Sequence, residues 1–168
     1  MTEFEEIVND LREYETEQEW FEFKENWFNP NELGQYISPL SNSAAYAGQK
    51  KAYFVWGIAD KPHSIAGISF SPDCRVKNEP LKHYLSRQLS PNNNFEFTEC
   101  SIEGKTVVLL TIPAAKNIPL SFDRERYIHI GSSKENLRKF PEKESCTFEK
   151  KRFIERVGSN KTGYWKVL

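Results

Sequence analysis

The run Ala52-Tyr53-Phe54-Val55-Trp56-Gly57-Ile58 carries apolar or aromatic side chains on both of its alternating faces. A strand that keeps both faces from water must lie inside a sheet that is itself covered on both sides. The run therefore predicts a central strand, and the remaining elements are placed around it. Upstream, Phe4, Ile7, Val8 and Leu11 recur at helical spacing and predict an amphipathic helix over 3–14. Glu19-Trp20-Phe21-Glu22-Phe23-Lys24 reads as a strand, with Phe21 and Phe23 on the core face and Glu22 and Lys24 on the other. Asn29-Pro30-Asn31-Glu32 opens a helix that continues through Leu33, Tyr36, Ile37, Leu40 and Ala44, with Pro39 expected to kink or end it.

Beyond the central strand, Asp60-Lys61-Pro62-His63 is turn chemistry, and Ile65 to Phe70 is expected to return as a hairpin strand. Residues 79–89 read as a helix. Phe95–Ile102 and Lys105–Ile112 form a second hairpin around Glu103-Gly104. Arg126–Ile130 is expected as a last strand, and a helix from Pro141 to about Val157 follows. The order of elements predicts an α+β fold: a mainly antiparallel mixed sheet of two hairpin-like units flanked by helices. One domain spans 1–157. Residues 158–168 read as a C-terminal tail or the start of a linker to a further C-terminal domain.

A hydrophobic fraction of 38% suffices for one core. No apolar stretch is long enough for a membrane helix, and the acidic start MTEFEEIVNDL lacks a signal peptide's basic and apolar regions, so a cytoplasmic protein is expected. Cys74, Cys100 and Cys146 form no metal-binding pair, and the three histidines form no metal set. No GxxxxGK[ST] occurs, because Gly158-Ser159-Asn160-Lys161-Thr162-Gly163 has the wrong spacing; this excludes a P-loop ATPase.

The net charge of −1 conceals an asymmetry. Residues 1–32 hold eleven acidic and two basic residues, a net of −9, and residues 33–168 hold 21 basic and 13 acidic, a net of +8. A basic body around an acidic centre suits a polyanion. Glu17, Glu22 and Asp60 are the candidate acids, since magnesium or manganese takes hard oxygen ligands; they meet if the strand ending at Lys24 neighbours the central strand. Lys24 would then orient a phosphate. Arg124, Arg126, His129, Lys134, Arg138 and Lys139 cluster around Gly131-Ser132-Ser133, where a serine is expected to cap a following helix, and form the candidate nucleic-acid-binding set. Lys77, Lys82, His83 and Arg87 add charge on the 79–89 helix.

Several ordered segments resemble the Schlafen AlbA-like family. Glu17-x-x-x-x-Glu22-Phe23-Lys24 is similar to its Glu-Ser-x-x-x-Glu-Phe-Lys segment. Tyr36 to Ala44 resembles its helix ending in Ala-Asn-Ser/Thr. Val55-Trp56-Gly57-Ile58-Ala59-Asp60 resembles its Gly-Val-x-Asp strand end, and Ile65-Ala66-Gly67 its return. Ile112-Pro113, Pro119 to Phe122, Tyr127 to Ser132 and Pro141-x-x-Glu144 complete the series, which covers about residues 10–145. Catalytic members cleave structured RNA such as tRNA with a divalent metal held by three acids, and those positions correspond to Glu17, Glu22 and Asp60. Other members are DNA-binding or transcriptional-regulator domains. Two departures stand out: Asn42-Ser43-Ala44-Ala45-Tyr46 lacks the usual Gly-Gly, and His129 replaces a common Arg. The resemblance implies an RNA- or DNA-binding domain with Mg or Mn as cofactor and endoribonuclease activity. A non-catalytic binding module and a protein-interaction domain are the alternatives.

Overall fold

The computed structural model describes residues 1–144 and the backbone of 154–157 and 164–167. Helix α1 (Glu3–Arg12) starts at Thr2, whose hydroxyl accepts the Glu5 N–H while the Glu5 carboxylate accepts the Thr2 N–H. Strand β1 (Phe21–Lys24) follows, then α2 (Pro30–Tyr46), capped by Asn29 with Pro30 in its first turn, then β2 (Lys51–Trp56). Short strands β3 (Arg75–Val76) and β4 (Glu79–Pro80) lead into α3 (Leu81–Ser86), then β5 (Leu89–Ser90). The long hairpin is β6 (Glu96–Ile102) and β7 (Lys105–Pro113). After it come β8 (Ser121–Phe122), β9 (Glu125–Ile130), β10 (Ser133–Asn136) and a 3-10 turn, Leu137–Lys139. Strands β11 (Ile154–Val157) and β12 (Tyr164–Val167) pair antiparallel.

The α+β architecture is as expected. The main sheet runs β1-β2-β7-β6, so the doubly apolar β2 is interior. β1 is parallel to it; the β2–β7 and β7–β6 pairings are antiparallel. Alternation sorts the core into two clusters. Phe54, Trp56, Val108 and Leu110 face α2 and α3, while Val55, Val107, Leu109, Phe21 and Phe23 face Phe4, Val8 and Leu11 of α1. A second sheet runs β10-β9-β8-β5, and α2 packs against both sheets.

Pro39 does not end α2. Proline costs the helix one hydrogen bond, but the surrounding turns are held by buried side-chain bonds. Ser38 Oγ donates to Leu120 O (2.8 Å) and accepts the Tyr127 N–H (3.0 Å). Asn42 donates to Leu120 O (3.0 Å) and Tyr127 O (2.8 Å) and accepts the Leu120 N–H (2.8 Å). Ser43 Oγ accepts the His129 N–H (3.0 Å). The helix thus serves the backbone of β9 as a neighbouring strand would. Gly34 permits the approach, since a Cβ there would lie 2.0 Å from the Phe122 ring.

Four sequence expectations are corrected. Ile65 to Phe70 makes one bridge, Ile58 with Ile65, and no strand. Gly57 (φ +94) and Gly67 (φ +81) bring the two segments so close that a Cβ on Gly57 would lie 3.3 Å from the Gly67 Cα, and Ile68 N–H turns away to Thr106 O. The 79–89 helix is shorter, because Glu79-Pro80 and Leu89-Ser90 pair in strands. Arg126–Ile130 is not the last strand: Gly131 (φ +60) and Ser132 turn the chain into β10, so neither serine caps a helix, and Asn136 caps the 3-10 turn. The helix expected to reach Val157 lies partly outside the described residues, and its final segment, 154–157, is strand.

The Asn42 latch yields a stability test. Asn42→Ala strands the buried Leu120 N–H and Tyr127 carbonyl and should lower stability by about 2–4 kcal/mol. Urea unfolding followed by circular dichroism checks this; an unchanged midpoint would show that the latch contributes nothing.

Candidate functional site

Parallel pairing of β1 with β2 decides where the acids fall. Glu22 lies beside Phe54 and Lys24 beside Trp56, and both strands end at the same side of the sheet, where Asp60 follows on an exposed turn. Among the described residues the outer edge of β1 has no strand partner. Glu17 fills part of that gap: its Oε1 accepts the Phe23 N–H at 2.6 Å. Glu22 Oε1 accepts from Lys24 Nζ at 2.6 Å, and Lys24 also lies over the Tyr36 ring.

The electrostatics tie these groups together. Burial raises the Glu17 pKa, the Phe23 N–H opposes that rise, and the charges of Glu22 and Asp60 add to it while Lys24 offsets them. Burial alone would lower the Lys24 pKa, but the bond to the Glu22 carboxylate and its charge outweigh it and the net shift is upward. Lys24 is therefore charged at neutral pH. Asp60 joins the group through its charge acting on Glu17.

Behind Glu22 opens a polar cavity of about 370 Å³, lined by Gln35 and Tyr36 of α2, His129 of β9, Ser132 and Lys134. His129 is 4% exposed, and its Nδ1 donates to Glu19 O at 3.1 Å, since a carbonyl can only accept. Burial lowers its pKa, so the neutral ring leaves Nε2 as an acceptor. Nε2 makes no hydrogen bond to a described residue. Lys134 bonds Gln35 and lies over the Tyr127 ring. Glu19 ties the two sides of the cavity, its Oε1 accepting the Gly131 N–H at 2.8 Å.

The six basic candidates are divided by the structure. His129 and Lys134 line the cavity with Glu22. Arg124 stands at the β8–β9 turn in a separate pocket with Arg87. Arg126 is bound to Glu144 at 2.6 Å and Lys139 to Glu135 at 3.0 Å, while Arg138 is exposed on the 3-10 turn. On the α3 side, Glu79 pairs with both His83 and Arg87. His129, neutral at neutral pH, supplies a hydrogen-bond acceptor in place of a cationic phosphate contact.

Among the described residues no three His, Cys, Asp or Glu side chains stand together as a ready metal cage. The donor chemistry still suits magnesium, which commonly takes one or two carboxylates and completes its shell with water and substrate phosphate. Glu17 and Glu22 each keep one carboxylate oxygen outside the bonds described, and the charges of Glu22 and Asp60 add to the burial that raises the Glu17 pKa. Gln35 and Tyr36 are not among the site residues read from the sequence. Their signal is the spacing of Glu32, Gln35 and Tyr36 at i, i+3 and i+4, a polar stripe on an otherwise buried helix.

A family model described as Schlafen, AlbA_2 matches residues 17–138. An uncharacterized ATP-binding protein of Ureaplasma parvum serovar 3 is 28% identical over 86 residues, which are 51% of this chain and 23% of that protein. The crystal structure of the DIP2311 protein from Corynebacterium diphtheriae superposes with a TM-score of 0.53 at 14% identity, covering 93% of this chain and 30% of that one. The N-terminal domain of a RecG-related protein from Nitrosomonas europaea superposes with a TM-score of 0.44 at 16% identity, covering 68% and 75%. The chain thus spans about a quarter of the Ureaplasma protein and under a third of the Corynebacterium one. The likeness to DIP2311 is one of fold.

The strained carboxylate gives a signed prediction. Glu17 has a folded pKa above its unfolded value, so its favourable contribution is full below about pH 4.5 and is lost as pH rises through the folded pKa. Glu17→Gln keeps an acceptor for Phe23 N–H and removes the charge, and should raise Tm by about 1–3 °C at pH 7 with the gain vanishing near pH 4. Glu17→Ala loses the acceptor and should lower Tm. Calorimetry of both variants across pH checks this; a Glu17→Gln protein less stable at pH 7 would contradict it.

Proposed function

The chain belongs to the Schlafen, AlbA_2 family, and from that premise we propose that it is a nucleic-acid-binding domain that cleaves structured RNA with a divalent cation at the β1 edge. The observation that carries the reading is the polar cavity that Glu22, His129 and Lys134 line together. Lys134 and Lys24 neutralise a phosphodiester entering there. The His129 acceptor suits a ribose hydroxyl, which a DNA strand lacks. Glu17 and Glu22, with Asp60 beside them, would hold magnesium or manganese, which supplies an activated water or hydroxyl and charge stabilisation at the phosphate. Arg124 and Arg138 are exposed outside the cavity.

A second reading, a binding module without turnover, draws on the 2.6 Å Lys24–Glu22 pair and the absence of a ready metal cage among the described residues. In that case Glu22 serves only Lys24, and its loss would cost little, as for partly exposed ion pairs. Among the described residues no helix is long and apolar enough to cross a membrane.

One experiment separates the two. Labelled tRNA is incubated with the protein and magnesium or manganese and resolved on a gel, with binding measured separately without metal. Glu22→Gln should abolish cleavage while leaving binding intact or somewhat tighter, since a negative charge beside the phosphate is removed. Wild-type binding should weaken steeply with added salt. Metal-independent behaviour of the wild type, or full cleavage by Glu22→Gln, would leave only the binding module.

A further inference from the structure

A cavity of about 590 Å³ lies away from the acids, where the C-terminal end of α2 meets α1 and the starts of β1 and β2. Its size falls within the range of pockets that hold small organic ligands, roughly 300–1,000 Å³. Its wall is aromatic. Parallel pairing sets Phe21 beside Tyr53, and the Tyr53 N–H donates to Trp20 O at 3.0 Å, so the Trp20 and Tyr53 rings meet at 6.3 Å. Tyr14, beyond the end of α1, adds its ring edge-on to Trp20 at 5.9 Å and remains 40% exposed. Lys50 and Lys51 form the opposite rim, are exposed, and make no ion pair with any described residue. Among the described residues Asp10 is the one carboxylate lining the cavity, and Glu3 acts on Tyr53 from nearby, so the two lysines keep the rim from being acidic.

Aromatic faces beside unpaired lysines are the two components of single-strand nucleic-acid recognition: bases stack on the rings while the backbone follows the charge. The two exposed lysine cations on the rim favour an anionic ligand over a purely apolar one. Tyr53 pairs with Phe21 on the α1 face of the sheet, whereas Glu22 pairs with Phe54 on the α2 face, so this cavity and the acidic edge flank β1 from opposite faces.

We infer that the Tyr14–Trp20–Tyr53 wall with Lys50 and Lys51 is a stacking subsite for an unpaired base of the RNA, on the face of β1 opposite the acids. The inference deepens the RNA reading above and rests on it for the identity of the polymer, while the pocket itself is testable alone. It requires a substrate with a flipped or single-stranded base.

The test uses the whole chain with metal omitted and compares a short oligouridylate with a fully paired RNA duplex. Tyr14→Ala, and separately Lys50→Ala with Lys51→Ala, should each weaken oligouridylate binding about tenfold and leave duplex binding unchanged. The lysine variant alters only exposed side chains, so it tests the subsite even if Tyr14→Ala perturbs folding. Oligouridylate binding equal to wild type in both variants overturns the subsite and spares the RNA reading, as does an equal loss for duplex and single strand. If the wild type binds no RNA, the functional reading falls. The subsite then stands on uridine monophosphate alone, by saturable quenching of tryptophan fluorescence that Tyr14→Ala abolishes, and falls if no such quenching occurs.

Discussion

The hydrogen bonds from α2 to the backbone of Leu120, Tyr127 and His129 are the constraint on which the remaining architecture depends. Strand β9 is bonded to β8 only at its beginning, through Ser121–Arg126 and Phe122–Glu125. Past that point its inner edge would carry buried, unpaired amide groups, each costing about 1–3 kcal/mol. Ser38, Asn42 and Ser43 satisfy them, so one helix joins two sheets that share no strand pairing. The same turns of α2 carry the apolar residues Ile37, Leu40 and Ala44 into the main core. Register on both sides is thereby fixed at once: a slip of α2 by one turn would break the polar bonds and the apolar packing together.

From that junction the cavity follows. Because α2 holds β9 at His129, the β9–β10 hairpin is carried past the open edge of β1, and Glu19 closes the far side by binding Gly131 and His129. The site is therefore the space between an unpaired strand edge and a hairpin that does not pair with it. An open edge invites association with other strands, and here it is blunted by charge, with Glu17 occupying the Phe23 amide and Glu22 and Lys24 projecting beside it. Blunting the edge and gathering acids beside a polar cavity of about 370 Å³ are the same arrangement of residues, and burial there costs Glu17 ionisation.

Much of this was legible in the residues. The doubly apolar Ala52–Ile58 run marked the interior strand, and Phe21/Phe23 against Glu22/Lys24 marked the two faces of β1 correctly. The meeting of β1 with β2 was conditional in the sequence, because strand neighbours are chosen by long-range packing and not by local pattern. Pro39 misled, since its local cost is outweighed by buried bonds to residues about eighty positions away. Ile65–Phe70 misled in the opposite direction: its β-branched residues suit a strand, but two glycines at positive φ turn its amides elsewhere. Strand β10 is polar along Ser133-Lys134-Glu135-Asn136, so neither alternation nor propensity reveals it; a tight turn at Gly131 creates it. The basic set read as one cluster because its members are close in sequence, whereas a hairpin sends alternate residues to opposite faces and gives Arg126 to Glu144.

The central claim is that nucleic acid occupies the space between the β1 edge and the β9–β10 hairpin. Titrating isotope-labelled protein with RNA, metal omitted, and following backbone amide shifts tests it residue by residue. The account expects the largest changes at Glu22 to Lys24, Gln35-Tyr36 and Gly131 to Lys134, fading as salt is added. Saturable binding that leaves those three segments unshifted while residues elsewhere respond would contradict it.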